Sequence, residues 1–107
     1  EAKQKMIDDA LALQAAGAVA IVLELVPSPV AKAVTDALHV PTIGIGAGPD
    51  TDGQVLVWAD MAGMYEWVPS FVKKFANLRE SLKDAVAADT KEVKDGSFPG
   101  PDHYKTN

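Results

Sequence analysis

Apolar positions recur at helical spacing in the first stretch of the chain, and the period then changes abruptly. From Glu1 to Ala16, Met6, Ala10 and Leu13 line up with Ile7, Leu11 and Gln14, which predicts an amphipathic helix that Gly17 ends by supplying a left-handed residue. Residues 18–23 form an unbroken apolar, β-branched run, the pattern of a parallel strand buried on both faces, and the run stops at Glu24. Pro27-Ser28-Pro29 brings a breaker, an N-cap hydroxyl and a proline at the first helical position. Val30, Val34, Ala37 and Leu38 then mark a second helix over residues 29–38. Val40-Pro41 leads in extended form into a second strand, residues 42–46, whose glycines let neighbouring backbone or a ligand come close.

Residues 47–53 lack periodicity and read as a loop, residues 54–58 as a third strand, and residues 60–66 fit neither pattern. Phe71, Val72 and Phe75 predict a short helix. Leu78, Leu82, Ala85, Val86 and Val93 predict a longer one that ends near Gly96, ahead of an extended or turned tail at residues 98–102. Alternating helices and strands place the chain in the α/β class with right-handed βαβ crossovers.

Composition narrows the function classes. With 107 residues, 48% hydrophobic and 23% charged, one packed domain is expected, and a complete eight-stranded barrel is too large. The net charge of −5 and scattered Lys and Arg argue against nucleic acid. The absence of cysteine removes disulfides, zinc thiolates and thiol nucleophiles. The longest apolar stretch, residues 15–26, is interrupted by Gly17 and Glu24 and falls short of the roughly 20 residues that a membrane span requires. A cytoplasmic location is expected. Residues 1–5 run straight into a helical pattern with no signal-peptide order and no initiating Met, which suggests a truncated chain.

Glu24 is the most informative residue. A carboxylate that closes an apolar strand sits where α/β folds place their ligands, and partial desolvation there would suit it to take a proton from carbon next to a carbonyl. The competing reading is a strand-end Glu paired with a lysine or a loop amide. Gly44-Ile45-Gly46-Ala47-Gly48 lacks the third glycine of a dinucleotide loop, because Pro49 occupies that position, and no Lys-Ser/Thr follows, so tight turning and close packing fit it better. Asp50, Asp52 and Asp60 are loop acids without the closing Glu of a calcium hand. His39 and His103 have no partner at metal spacing, and Ser28 and Ser70 read as helix caps. Trp58, Trp67, Phe71 and Phe75 read as core or helix contacts, and the mixed charges of residues 79–94 as a solvated face.

Several strings, taken in order, resemble the C-terminal part of the ketopantoate hydroxymethyltransferase family. They are Ala12-Leu13-Gln14-Ala15-Ala16-Gly17-Ala18, Val22-Leu23-Glu24-Leu25-Val26-Pro27, Val40-Pro41-Thr42-Ile43-Gly44-Ile45-Gly46-Ala47-Gly48, Asp52-Gly53-Gln54-Val55-Leu56-Val57, and Gly96-Ser97-Phe98-Pro99 with His103. The resemblance implies a (βα)8 barrel that makes ketopantoate from α-ketoisovalerate and 5,10-methylenetetrahydrofolate in pantothenate and coenzyme A biosynthesis. It implies that Glu24 is the general base of the Leu-Glu-x-Val-Pro motif, removing a proton from C3 of a keto acid that chelates Mg²⁺. The family's metal ligands, and the serine, lysine and histidine that hold substrate, lie on earlier strands and have no counterpart here. Asp50, Asp52 and Asp60 do not replace them. The tail, residues 102–107, also departs from the family's ending.

By this resemblance the chain is an incomplete barrel segment, residues 1–66, holding about the last three βα units, followed in the same domain by C-terminal helices and tail, residues 67–107. The implied partners are the missing N-terminal barrel half and further copies, since the family forms decamers; the isolated chain is expected to be inactive. Two alternatives remain: a non-catalytic half-barrel that self-associates through its open sheet edge, and a Mg²⁺-dependent enolate-forming lyase of the phosphoenolpyruvate mutase type.

Overall fold

Gly17 ends the first helix as its position demands. Helix α1 (Ala2–Ala15) closes with the Gly17 N–H on the Gln14 carbonyl at 3.0 Å and the Ala18 N–H on the Leu13 carbonyl at 3.1 Å. Gly17 sits at φ +106°, so this is a Schellman turn, which only a residue without a Cβ enters cheaply. The chain then forms β1 (Ile21–Glu24), α2 (Ser28–Ala37), β2 (Thr42–Ile45), β3 (Gly53–Gln54), α3 (Trp58–Met61) and α4 (Leu78–Asp95), with a 3-10 turn at Pro101–His103. The computed structural model describes residues 1–107 as two compact units, residues 1–57 with 69–72, and residues 58–68 with 73–107.

In the first unit, β1, β2 and β3 lie side by side in that order and all run parallel, as the β-branched runs predict. Ile21 pairs with Thr42 and Glu24 with Ile45. Ala10 of α1, Ile21 and Leu23 of β1, Ala31 and Val34 of α2, and Val26 and Ala47 form the core, with Met6, Ile7, Val30 and Leu38 packed around it. The helices cover one face of β1. Its alternate residues Val22 and Glu24 are exposed, so the strand is not buried on both faces, and it begins at Ile21 rather than Ala18. Helix α2 begins one residue earlier than expected. Ser28 is its first residue and its hydroxyl caps nothing; the Pro27 carbonyl accepts from the Val30 and Ala31 N–H groups instead.

The link from β2 to β3 carries no helix. Parallel strands ordinarily need about a dozen connecting residues, but residues 46–52 return directly across the sheet because Gly44 leaves room there. A Cβ on Gly44 would stand 2.6 Å from the Thr51 hydroxyl. At the far end Asp52 is clamped to the start of β2: its Oδ2 accepts from the Thr42 N–H at 2.8 Å and lies 3.3 Å from the Thr42 hydroxyl, and its own N–H donates to that hydroxyl. Thr42 is fully buried, and the Thr35 hydroxyl of α2 lies 2.8 Å from its own. Thr35 also reaches the Ala31 carbonyl at 2.8 Å. With one proton on each hydroxyl, Thr35 either donates to Ala31 and accepts from Thr42, or donates to Thr42 and frees the Thr42 proton for Asp52.

β3 is shorter than expected. Only Gly53 and Gln54 pair with β2, the Val55 N–H adds one bond to the Gly44 carbonyl, and Trp58 already belongs to α3. No strand lies beyond β3 to hold residues 56 and 57 extended. No helix forms at Phe71 either: the Val72 N–H closes a turn on the Pro69 carbonyl, and Ser70 therefore caps nothing.

In the second unit, the Phe75 N–H goes to the Met61 carbonyl at 2.7 Å rather than to a preceding helical turn. The first N–H groups of α4, on Leu78 and Arg79, are satisfied by the carbonyls of Ala62 and Gly63, so Asn77 has no capping to do. Gly63, at φ +75°, is required, since a Cβ there would strike the Ala76 carbonyl. Helix α4 stops at Gly96 as expected, in the left-handed region at φ +84°. Its apolar stripe of Leu78, Leu82, Val86 and Val93 is exposed. No helix is long and apolar enough to cross a membrane.

Removing the clamp should destabilise the chain. Asp52→Ala strands a buried Thr42 N–H, and thermal or urea unfolding should register a loss of about 1–3 kcal/mol; a change below a few tenths would mean that the clamp contributes nothing. A second expectation concerns pH. The Asp95 carboxyl is held below its ordinary value of 3.8, first by the Ser97 hydroxyl and then by the Ser97 N–H. A depressed carboxyl stabilises above its unfolded pKa and loses that contribution as pH falls through the folded one. The protection of the residue-97 amide, its exchange rate set against that of an unstructured peptide at the same pH, should therefore fall as pH drops below about 3.8 in the native chain, and the step should be smaller in Ser97→Ala, which loses the hydroxyl and keeps the N–H.

Candidate active site

Glu24 is the last residue of β1, at the C-terminal end of the parallel sheet, the end at which α/β folds bind ligands. It is exposed, shares its face with Val22, and takes part in none of the chain's salt bridges or side-chain hydrogen bonds. The alternative of a Glu paired with a lysine or a loop amide is thus not realised. The carboxylate stands free, and the backbone beneath it pairs with Ile45 at the end of β2.

The next residue breaks the strand. Leu25 is the one non-glycine residue at positive φ, +55°, a conformation that costs an L-residue about 1 kcal/mol or more. Its N–H still donates to the Ile45 carbonyl at 2.9 Å, so the ladder continues through the bend. Its side chain lies against Gly46: a Cβ there would be 3.0 Å from Leu25 Cδ2 and 3.0 Å from Phe71 Cγ. Gly46 is itself at φ +64°, so two independent reasons require glycine. The next glycine, Gly48, faces Ser28, which occupies the space a Cβ would need.

Gly46, Gly48, Pro49, Gln54 and Phe71 line an open cavity of about 590 Å³ at this end of the sheet. The Gln54 amide nitrogen donates to the Gly48 carbonyl at 2.8 Å and to the Thr51 hydroxyl at 3.1 Å. Because a carbonyl only accepts, this fixes the amide with its oxygen turned away from Gly48. The glycine segment thus turns tightly and packs closely, as its sequence predicts, while bordering the cavity.

Of the loop acids, Asp52 belongs to the Thr42 clamp at the opposite end of β2 and Asp60 to α3. No three His, Asp or Glu side chains converge. His39 serves through its backbone: its N–H and that of Val40 donate to Gln14 Oε1 at 2.6 and 3.1 Å, tying the end of α1 to the segment before β2. Neither this tie nor the clamp has a periodic signature. A polar residue at a helix end and an Asp before a Gly are their only traces in the sequence.

The chain is thus a parallel α/β segment that ends one strand on a free carboxylate. Its residues 1–101 match the family model described as ketopantoate hydroxymethyltransferase. A protein of Pyrococcus abyssi named 3-methyl-2-oxobutanoate hydroxymethyltransferase is 54% identical over 104 residues, which is 97% of this chain and 37% of that protein. Proteins of the same name from Streptomyces coelicolor and Acidothermus cellulolyticus are 54% and 60% identical, over 96% and 90% of this chain and 36% of each relative. The chain belongs to the ketopantoate hydroxymethyltransferase family, and spans little more than a third of the length of these relatives.

Since Glu24 supports no packing and no ion pair, Glu24→Gln should leave thermal stability within about 0.5 kcal/mol of the parent. A larger loss would reveal a structural role and disqualify this variant as a probe of chemistry.

Proposed function

We propose that this chain carries the base-bearing part of a 3-methyl-2-oxobutanoate hydroxymethyltransferase built as a (βα)8 barrel, in which it forms about the last three βα units. The observation that supports this reading is the position of Glu24, a free carboxylate at the C-terminal end of a parallel strand, within the family-matched residues. The Glu24 carboxylate takes the C3 proton of α-ketoisovalerate: the C3–H bond breaks and its electron pair becomes the enolate. C3 then bonds to the methylene carbon of 5,10-methylenetetrahydrofolate as both C–N bonds of that carbon are given up, water supplies the hydroxyl, and tetrahydrofolate leaves with the C3 proton and the second water proton on its two nitrogens. No residue of this chain is assigned to magnesium. A second reading, a non-catalytic segment that self-associates, draws on the exposed Val22 face and the open edge of β1.

The test is a hybrid in which this chain replaces the homologous segment of the Pyrococcus abyssi relative, followed by NMR in D₂O for loss of the C3 proton signal of α-ketoisovalerate. Exchange should occur in the hybrid, fall at least a hundredfold in its Glu24→Gln variant, and be absent from the isolated chain. A hybrid that assembles but exchanges no faster than its Glu24→Gln variant would sink the proposal. Concentration-dependent assembly of the isolated chain would then favour the second reading.

A further inference from the structure

The alternation along β1 predicts where its next two residues should point. Ile21 and Leu23 are buried and Val22 and Glu24 exposed, so an uninterrupted strand would bury Leu25 and place Val26 on the open face beyond Glu24. The reverse is found. Leu25 is 64% exposed, and Val26 is buried with the core residues at 8%.

Leu25 at φ +55° produces this inversion. A single left-handed residue turns the chain so that Val26 goes to the helix side, and Glu24 remains the last side chain on the open face. Three contacts hold Leu25 there. Its N–H is bonded to the Ile45 carbonyl, Val26 is anchored in the core and restricted to extended backbone by Pro27, and the missing side chain of Gly46 makes room for Leu25 Cδ2.

We infer that Leu25 is a positioning residue for Glu24: its left-handed backbone keeps the carboxylate uncovered at the strand end and fixes the direction in which it meets substrate. The inference rests on the proposed role of Glu24 as base. The backbone conformation acts, not the leucine side chain, so residues that differ in their tolerance of positive φ should separate cleanly. Glycine enters this region without cost, whereas a β-branched residue resists it strongly.

In the hybrid enzyme, Leu25→Gly should keep C3 exchange within about threefold of the parent. Leu25→Ile, close to leucine in size and hydrophobicity, should lower the exchange turnover at least tenfold, with the KM for α-ketoisovalerate changed less than twofold and the melting temperature still marking a folded protein. A loss confined to turnover is the signature of a misdirected carboxylate; a general loosening would raise KM as well. Equal turnover in Leu25→Ile and Leu25→Gly, whether both high or both low, would overturn the inference, because the backbone would then not be the deciding element. Should Leu25→Ile fail to fold, Leu25→Asn, which tolerates the left-handed region, replaces it and must retain exchange for the inference to stand. Failure of the underlying function is distinguished by the parent hybrid, which in that case shows no exchange dependent on Glu24.

Discussion

The Asp52 carboxylate bound to the start of β2 is the interaction on which the C-terminal end of the sheet depends. No helix draws residues 46–52 back across the sheet; this clamp does so together with the short β2–β3 pairing and the Gln54 amide on the Gly48 carbonyl. The clamp satisfies the N–H of a fully buried residue and links α2 through Thr35, so the crossover, the second helix and the central strand share a single polar junction. Its energy is modest, about that of a few buried hydrogen bonds. It has leverage because it pins the far end of the segment whose near end, at Gly46 and Gly48, lines the open cavity.

Glycines at three successive alternate positions do different work in that segment. Gly44 makes room for Thr51, Gly46 for Leu25 and Phe71, and Gly48 for Ser28. Each absent side chain brings a piece of backbone into contact with a neighbouring element, and the last two also supply positive φ. The motif resembles a phosphate loop in spelling, yet it is built for close approach of protein to protein. The cavity that Gly46 and Gly48 border is accordingly apolar at Phe71 and polar at Gln54.

What the sequence made legible follows from which forces act locally. The helix over residues 2–15 with its Gly17 ending, the parallel pairing of the two β-branched runs, and the stop of α4 at Gly96 all follow from periodicity or from the backbone freedom of one residue. Glu24 stands out as the charge that closes an apolar run, but it is exposed, so the partial desolvation expected of a strand-end carboxylate is not found in this chain. The bend at Leu25 was not legible, since nothing in a leucine signals φ +55°. Nor was the role of Asp52, which looks like any loop acid until Thr42 is placed beside it. Phe71 and Phe75 are at helical spacing, but the Phe75 N–H finds its partner at the Met61 carbonyl, and local pattern cannot report that. Family resemblance supplied what patterning could not: a reason to read the Glu24 carboxylate as a base.

The helix-free return from β2 to β3 also bears on how this region can change over generations. In most α/β folds the segment that leaves a strand's C-terminal end is a surface loop, free to lengthen and acquire new recognition elements. Here the segment is fastened at Asp52, threaded over Gly44 and seated against Ser28 at Gly48. An inserted residue would have to break one of these attachments. The place where such folds usually diversify is therefore closed to variation in length, and novelty at this end of the sheet must come by exchanging side chains such as Gln54 and Phe71.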